Sequence, residues 1–272
     1  MEIADDVEFW SRAFVFSAVF GTLLVAQTFA PRRTPRSARA QWPNAAIFLI
    51  DTVLARLLAM SSLVGASVFA SAHGVGLFNR LDGTTWFEFV AALVLLDFGV
   101  YLQHRLFHRV PMLWRMHAVH HSDVNFDLTT GLRFHPFEII VSFGIKALLV
   151  VLLGASAASV LVFELLLSSA SLFTHANVAL PRRIERLLRT ALVTPDMHRI
   201  HHSVSPSEHN TNFGFLIVWW DRWLRTYTAE PHDSHERLRI GLESFREIPQ
   251  QGVTALLLQP LKTVSGSTSA QL

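Results

Sequence analysis

Apolar positions in this chain gather into long runs instead of alternating with polar ones. Residues 13–30 ("AFVFSAVFGTLLVAQTFA"), 57–79 ("LLAMSSLVGASVFASAHGVGLFN") and 147–163 ("ALLVVLLGASAASVLVF") contain no Asp, Glu, Lys or Arg. Each approaches or exceeds the roughly 18 residues of a membrane-span candidate. Extended to their polar flanks, the runs predict spans over roughly 11–30, 44–72 and 86–103. A long apolar region, 139–174, can hold two helices as a hairpin. Gly154 to Ser156 is its expected bend, because Gly and Ser are weak helix formers. The predicted fold class is all-α: an integral membrane helical bundle of four or five spans. No repeat of 20–50 residues is visible.

Charge adds a direction to this map. Only Lys146 and Lys262 are lysines among the 23 basic residues, and the formal net charge is +2. The arginines concentrate in 31–43, 104–137 and 182–199, whereas 73–85 holds one. With the N-terminus outside and five spans, the three Arg-rich segments share the cytoplasmic side. We therefore expect a bacterial inner-membrane protein and read its arginines as topology, not as a nucleic-acid surface. Acidic residues before the first run (Glu2, Asp5, Asp6, Glu8) argue for a retained span over a secretory signal. Asp51, Arg56 and Asp97 interrupt the second and third spans and should face the bundle interior. Three Trp beside charge in "FGFLIVWWDRW" (213–223) suit a short interfacial element. Residues 1–260 are expected to form one domain, and 261–272 a disordered tail.

Candidate chemistry comes from histidine. Cysteine is absent, so thiolate sites are excluded and a metal would be held by nitrogen or oxygen. Eleven of the 14 His lie between positions 104 and 209, and nine form a pattern. It runs HxxxH (His104, His108), HxxHH (His117, His120, His121), a single His175 closing the apolar hairpin, and a second HxxHH (His198, His201, His202). On a helix, positions i, i+3 and i+4 share a face, so each box presents one imidazole cluster. Packing does not explain two copies of HxxHH. Nine imidazoles exceed the needs of one four-to-six-coordinate ion, and two metals are the economical reading; iron, copper, nickel and zinc all accept such ligands. Asp97, Tyr101, His104 and His108 form one helical stripe, making Asp97 a candidate acceptor for a ligand ring N–H or a partner of Arg56. Pro136 and Glu138 read first as a helix start, and Glu138 second as a carboxylate near the metal. Asn125, Arg133 and Asn212 read as loop hydrogen-bonding residues that could orient ligands.

The segments "DFGVYLQHRLFHRVPMLWRMHAVHHS", "NFDLTTGLRFHPFE", "FTHANVALP" and "TPDMHRIHHSVSPSEHNTNFG" resemble the fatty acid hydroxylase / sterol desaturase superfamily over about residues 90–227. The resemblance implies a helical cytoplasmic cap holding a His-ligated di-iron centre, with O₂ as co-substrate and electrons from a separate protein. The reaction implied is hydroxylation, desaturation or cleavage of a membrane lipid. Its ligands, carried over, are His104, His108, His117, His120, His121, His175, His198, His201 and His202, with His135 a tenth candidate. Some relatives have HxxxH where this chain has His175 and Ala179, so one ligand would come from His135, Asn177, a carboxylate or water. His209 reads as peripheral. Arg225 stands in "WDRWLRTY" where the family pattern has glycine, which puts the local turn in question. No GxGxxG or CxxCH is present to suggest an internal electron carrier. Two other classes are a membrane metal transporter or store and a zinc hydrolase. Transport needs ligands near the bilayer midplane, whereas the boxes sit at span ends; HExxH is missing, since His235–Glu236 is followed by Arg239.

Overall fold

A computed structural model describes residues 2–35, 37–57, 62–81 and 86–262; the tail expected at 261–272 falls almost wholly outside them. The described residues are helical and contain no strand, only three isolated antiparallel bridges in the loops. Helices α1 (Glu2–Phe29), α4 (Trp86–Arg109), α6 (Pro136–Leu153) and α7 (Ala157–His175) contain stretches long and apolar enough to cross a membrane. At 1.5 Å per residue, the 24 residues of α4 reach about 36 Å, beyond the roughly 30 Å hydrocarbon layer. His104 and His108 therefore emerge at its far end.

The second predicted span departs from a single helix. It consists of α2 (Ala38–Leu57) and α3 (Leu63–Ala72), with residues 58–61 between them undescribed. Near the start of α2, Asn44 donates to Asp123 beside the histidines. Beyond α3, the Leu77 N–H donates to the Leu152 carbonyl at the opposite end of the bundle. The two helices thus make the return crossing in series. The predicted hairpin bend is present: Gly154 caps α6 in the left-handed conformation (φ 65°), and Ser156 accepts from the Ser159 N–H to start α7. A Cβ at Gly154 would also sit 2.8 Å from Asn79 Nδ2 and 3.0 Å from the Val75 carbonyl, so only glycine fits.

Leu63, Leu96, Val100, Val150, Val160 and Phe163 form the core among α3, α4, α6 and α7. Many outward-facing apolar residues remain exposed, among them Phe14, Leu148 and Leu152, as a bilayer-facing surface requires. The cap adds α5 (Pro111–His121), α8 (Arg182–Leu188), α9 (Pro195–His201), α10 (Pro206–His209), α11 (Trp219–Trp223) and α12 (Val253–Leu258). Val110 is extended and Pro111 occupies the first position of α5, so the chain breaks between the first two His boxes. The expected element at 213–223 is α11, with Trp219 and Trp223 exposed and Trp220 buried.

Candidate metal centre

Four helix ends bring the nine histidines together. His104 and His108 end α4, His117, His120 and His121 end α5, His175 ends α7, and His198, His201 and His202 end α9. They segregate into two groups: His104, His108, His117, His121 and His201 in one, and His120, His175, His198 and His202 in the other. Within each group the candidate ligand atoms all lie within 4.8 Å of one another. The HxxHH spacing explains the division, because His117 and His121 are one turn apart and His120 points to the neighbouring group. All nine are buried, none more than 3% exposed. The groups share a wall in which His121 and His202 stack at 4.4 Å.

The contacts of the outer ring nitrogens fix the tautomers. His104 Nδ1–H donates to the Phe213 carbonyl (2.7 Å), His201 to Thr211 (2.7 Å), His175 to Ser171 (2.7 Å) and His120 to Arg133 (3.2 Å). His117 Nδ1–H donates to Glu138 Oε1 (2.7 Å). Carbonyls and carboxylates only accept, so the hydrogen sits on Nδ1 and the inward Nε2 carries a bare lone pair. Yet His104 Nε2 lies 3.0 Å from Nε2 of both His117 and His201, and His120 Nε2 lies 3.1 Å from that of His175. Two acceptors at that distance repel unless a cation stands between them. Metal–nitrogen bonds of about 2.1 Å meeting at a right angle separate the nitrogens by about 3.0 Å. Both ring nitrogens of His121 and His202 also lack hydrogen-bond partners among the described residues while fully buried. The donor set fits bound metal.

Burial and neighbouring imidazoles hold His120, His121, His198, His201 and His202 well below the ordinary histidine pKa. Desolvation is the larger cause in each, and neutral imidazole is the form that binds metal. Aromatic rings close the site: Phe134 stacks on His120 (4.5 Å), Phe126 on His175 (5.5 Å), and Trp114 lies against His108 (4.8 Å).

Several candidate residues do other work. His135 joins neither group: as the N-cap of α6 its Nδ1 accepts from the Phe137 N–H, and its Nε2 contacts the Leu257 carbonyl. Asn177 also faces away, exchanging hydrogen bonds with Arg33 and so tying the segment after α1 to the end of α7. Neither therefore joins the two histidine groups. Asp97 reaches neither a histidine ring nor Arg56; its carboxylate accepts from Trp220 Nε1 (2.7 Å) and the Ile217 N–H. Arg56 instead lies over the Phe9 ring. His209 stacks on Trp114 outside both groups.

Residues given a minor part from sequence support the histidine cluster from outside. Glu138 occupies the first turn of α6, as its helix-start reading expects, and its carboxylate accepts from the His117 ring. Arg133 offers its carbonyl to His120 while its buried guanidinium donates to Val119 O and Ser122 Oγ at the end of α5. Asn212, at φ 53°, donates to the carbonyls of Met197 and Thr228, joining α9 to the extended segment after α11. Asp221 is absent from the sequence-derived candidates: it accepts from the N–H groups of Phe213 and Gly214 and from Thr226, fixing the carbonyl that orients His104. Burial pushes its carboxyl up to about 6 against the pull of these donors. Asp–Arg in "WDRW" is the one sequence signal for it. The turn in question at Arg225 is kept, with that residue in the left-handed region (φ 57°).

Comparison with known proteins places the chain. The fatty acid hydroxylase family model matches residues 89–226. Ornithine lipid hydroxylase OlsE of Rhizobium tropici is 35% identical over 57% of this chain and 46% of its own length. Alkylglycerol monooxygenase of Homo sapiens is 32% identical over 64% of this chain and 38% of its own. Cholesterol 25-hydroxylase of Rattus norvegicus is 28% identical over 58% and 52%. The matched region thus spans about half or less of these relatives. No solved structure matches.

Proposed function

The chain belongs to the fatty acid hydroxylase family, and from that premise we propose that it is a di-iron, O₂-dependent oxygenase of a membrane lipid. One observation carries the reading: nine buried histidines form two groups in which inward-facing Nε2 lone pairs confront one another at 3.0–3.1 Å. The relatives' names, hydroxylase and monooxygenase, favour oxygen insertion over desaturation. A substrate C–H becomes C–OH, the second oxygen atom leaves as water, and an external electron-transfer protein supplies two electrons, with two protons taken from solvent. We assign residues 1–260 to one domain for this task.

His104, His108, His117, His121 and His201 would hold one iron and His120, His175, His198 and His202 the other. When bound, the paired irons supply the O₂ activation that amino-acid side chains lack. Every other element of the mechanism is the protein's. Outer acceptors on His104, His117, His120, His175 and His201 keep those Nε2 atoms deprotonated and aimed inward. Glu138 places a carboxylate on the far side of His117, fixing the tautomer and orientation of that ring. Phe126, Phe134 and Trp114 shield the cluster from water, so an oxidant would meet the lipid before solvent. Placement at the ends of α4 and α7 suits a substrate that stays in the bilayer.

We further place the protein in a bacterial inner membrane with the histidines cytoplasmic, a reading supported by the arginine bias. A reporter fused after Arg189 should be active in the cytoplasm. The functional test is joint: purified protein should bind close to two irons, and His120→Ala or His201→Ala should abolish lipid oxidation while membrane insertion is retained. Mass comparison of lipids from a deletion strain should reveal products that differ by one oxygen. Full oxidation by iron-free protein would refute the proposal.

A further inference from the structure

A cavity of about 300 Å³ opens among α1, α2, α6 and α7, beside the four-histidine group. Its walls are apolar: Phe16 and Phe48, whose rings stack at 5.6 Å, together with Ile139 and Leu172. Its inner end is formed by Gly131, Phe134 and Ser171, and each of these touches the metal centre. Phe134 stacks on His120, the Ser171 carbonyl accepts from His175, and a Cβ at Gly131 would stand 3.3 Å from the His175 ring. The cavity and the histidines are therefore separated by single side chains.

One lining residue does not match the rest. Asp51 is 7% exposed, and its Oδ1 is buried with no hydrogen-bond partner among the described residues. The neighbouring Thr52 hydroxyl, by contrast, is satisfied by the Phe48 carbonyl. An unmet buried acceptor destabilises the fold, and a donor carried in by a ligand would restore what desolvation removed. Among the described residues nothing offsets the burial of this carboxyl oxygen. We propose that this cavity is the subsite for a lipid chain and that Asp51 receives an O–H or N–H donor carried by that lipid. Asp51 would then set specificity, holding the polar group so that the chain ends against the wall shared with His120 and His175. This deepens the lipid-oxidation reading and rests on it.

The test uses the full chain purified in detergent without metal and two probes: a diazirine-bearing long-chain alcohol and its O-methyl ether, which differ only in the hydroxyl donor. The alcohol should label peptides of α1, α2 and α7 at concentrations roughly 10- to 100-fold lower than the ether. Asp51→Asn retains an acceptor oxygen and should keep the preference. Asp51→Leu should bring the probes within about twofold of each other while still labelling with the ether, which shows an intact pocket. Equal labelling by the two probes in the unaltered protein, or labelling away from these helices, would overturn the proposal. Because no metal is present, the two readings separate. Pocket labelling as expected, with no lipid oxidised by the iron-loaded chain, would leave the subsite standing and remove the oxygenase assignment.

Discussion

Replacing Glu138 tests the separation of the nine histidines into two groups. His117 Nδ1 and Glu138 Oε1 are 2.7 Å apart, the two residues are 2% and 5% exposed, and Glu138 contacts no other ligand histidine. A buried hydrogen bond to a charged acceptor contributes about 1.5–3 kcal/mol. Loss of such an outer partner lowers metal affinity by about 10- to 100-fold, or about 1.4–2.8 kcal/mol, so the two scales agree. Glu138→Gln keeps an acceptor and loses the charge, and should fall near the lower bound. Glu138→Ala strands a buried N–H and frees the ring to rotate, and should fall near the upper. The assay is equilibrium dialysis of the iron-loaded protein against graded chelator, with metal counted per chain. Only the ion held by the five-histidine group should be released at lower chelator; the second equivalent should leave at the unaltered concentration. Release of both ions together, or of neither, would refute the division and the role of Glu138.

Other substitutions separate ligands from residues near them. His135→Asn should leave two irons per chain, since asparagine also caps helices, whereas His120→Ala should reduce the count. Arg225→Gly relieves a left-handed backbone and should raise stability by about 1 kcal/mol, read as a higher midpoint in thermal unfolding of the solubilised protein. Five cap histidines with depressed pKa, His120, His121, His198, His201 and His202, are neutral when folded and take up protons once unfolded. Their contribution to stability is thus complete above about pH 6.5 and is lost as pH falls through their folded values. The metal-free protein should accordingly unfold at lower temperature as pH drops below 6.5. A midpoint that is flat from pH 7 to 5 would contradict this.

Features set by local spacing are legible in the sequence. The HxxHH pairs cluster because helical geometry puts i, i+3 and i+4 on one face, and Gly154 marks the hairpin because few residues accept its backbone angles. Features set by distant partners are not. The stripe on α4 points Asp97 toward a histidine or Arg56, but its partner, Trp220, lies 123 positions away and reaches it only once the cap has folded over α4. His135 shares the residue type of the ligands, and only its position ahead of Pro136 makes it a cap. The fresh helix start at Leu63, capped by Ser62, is hidden because 44–72 is apolar on both sides of it, and hydropathy carries no record of where a helix begins anew.

Main-chain carbonyls of Phe213, Arg133, Ser171 and Thr211 hold four of the nine histidine rings. A carbonyl belongs to every residue type, so point mutation at those four positions can change a side chain without deleting the acceptor. Ring orientation is thereby insulated from most sequence drift, and it depends on the path of the backbone more than on residue identity. Glu138 and Asn210, which reach His117 and His108 through their side chains, are exceptions that a single codon change can remove. Related chains can therefore diverge around the histidines and keep the same inward-facing nitrogens, and tuning of the centre by substitution should concentrate at these two positions.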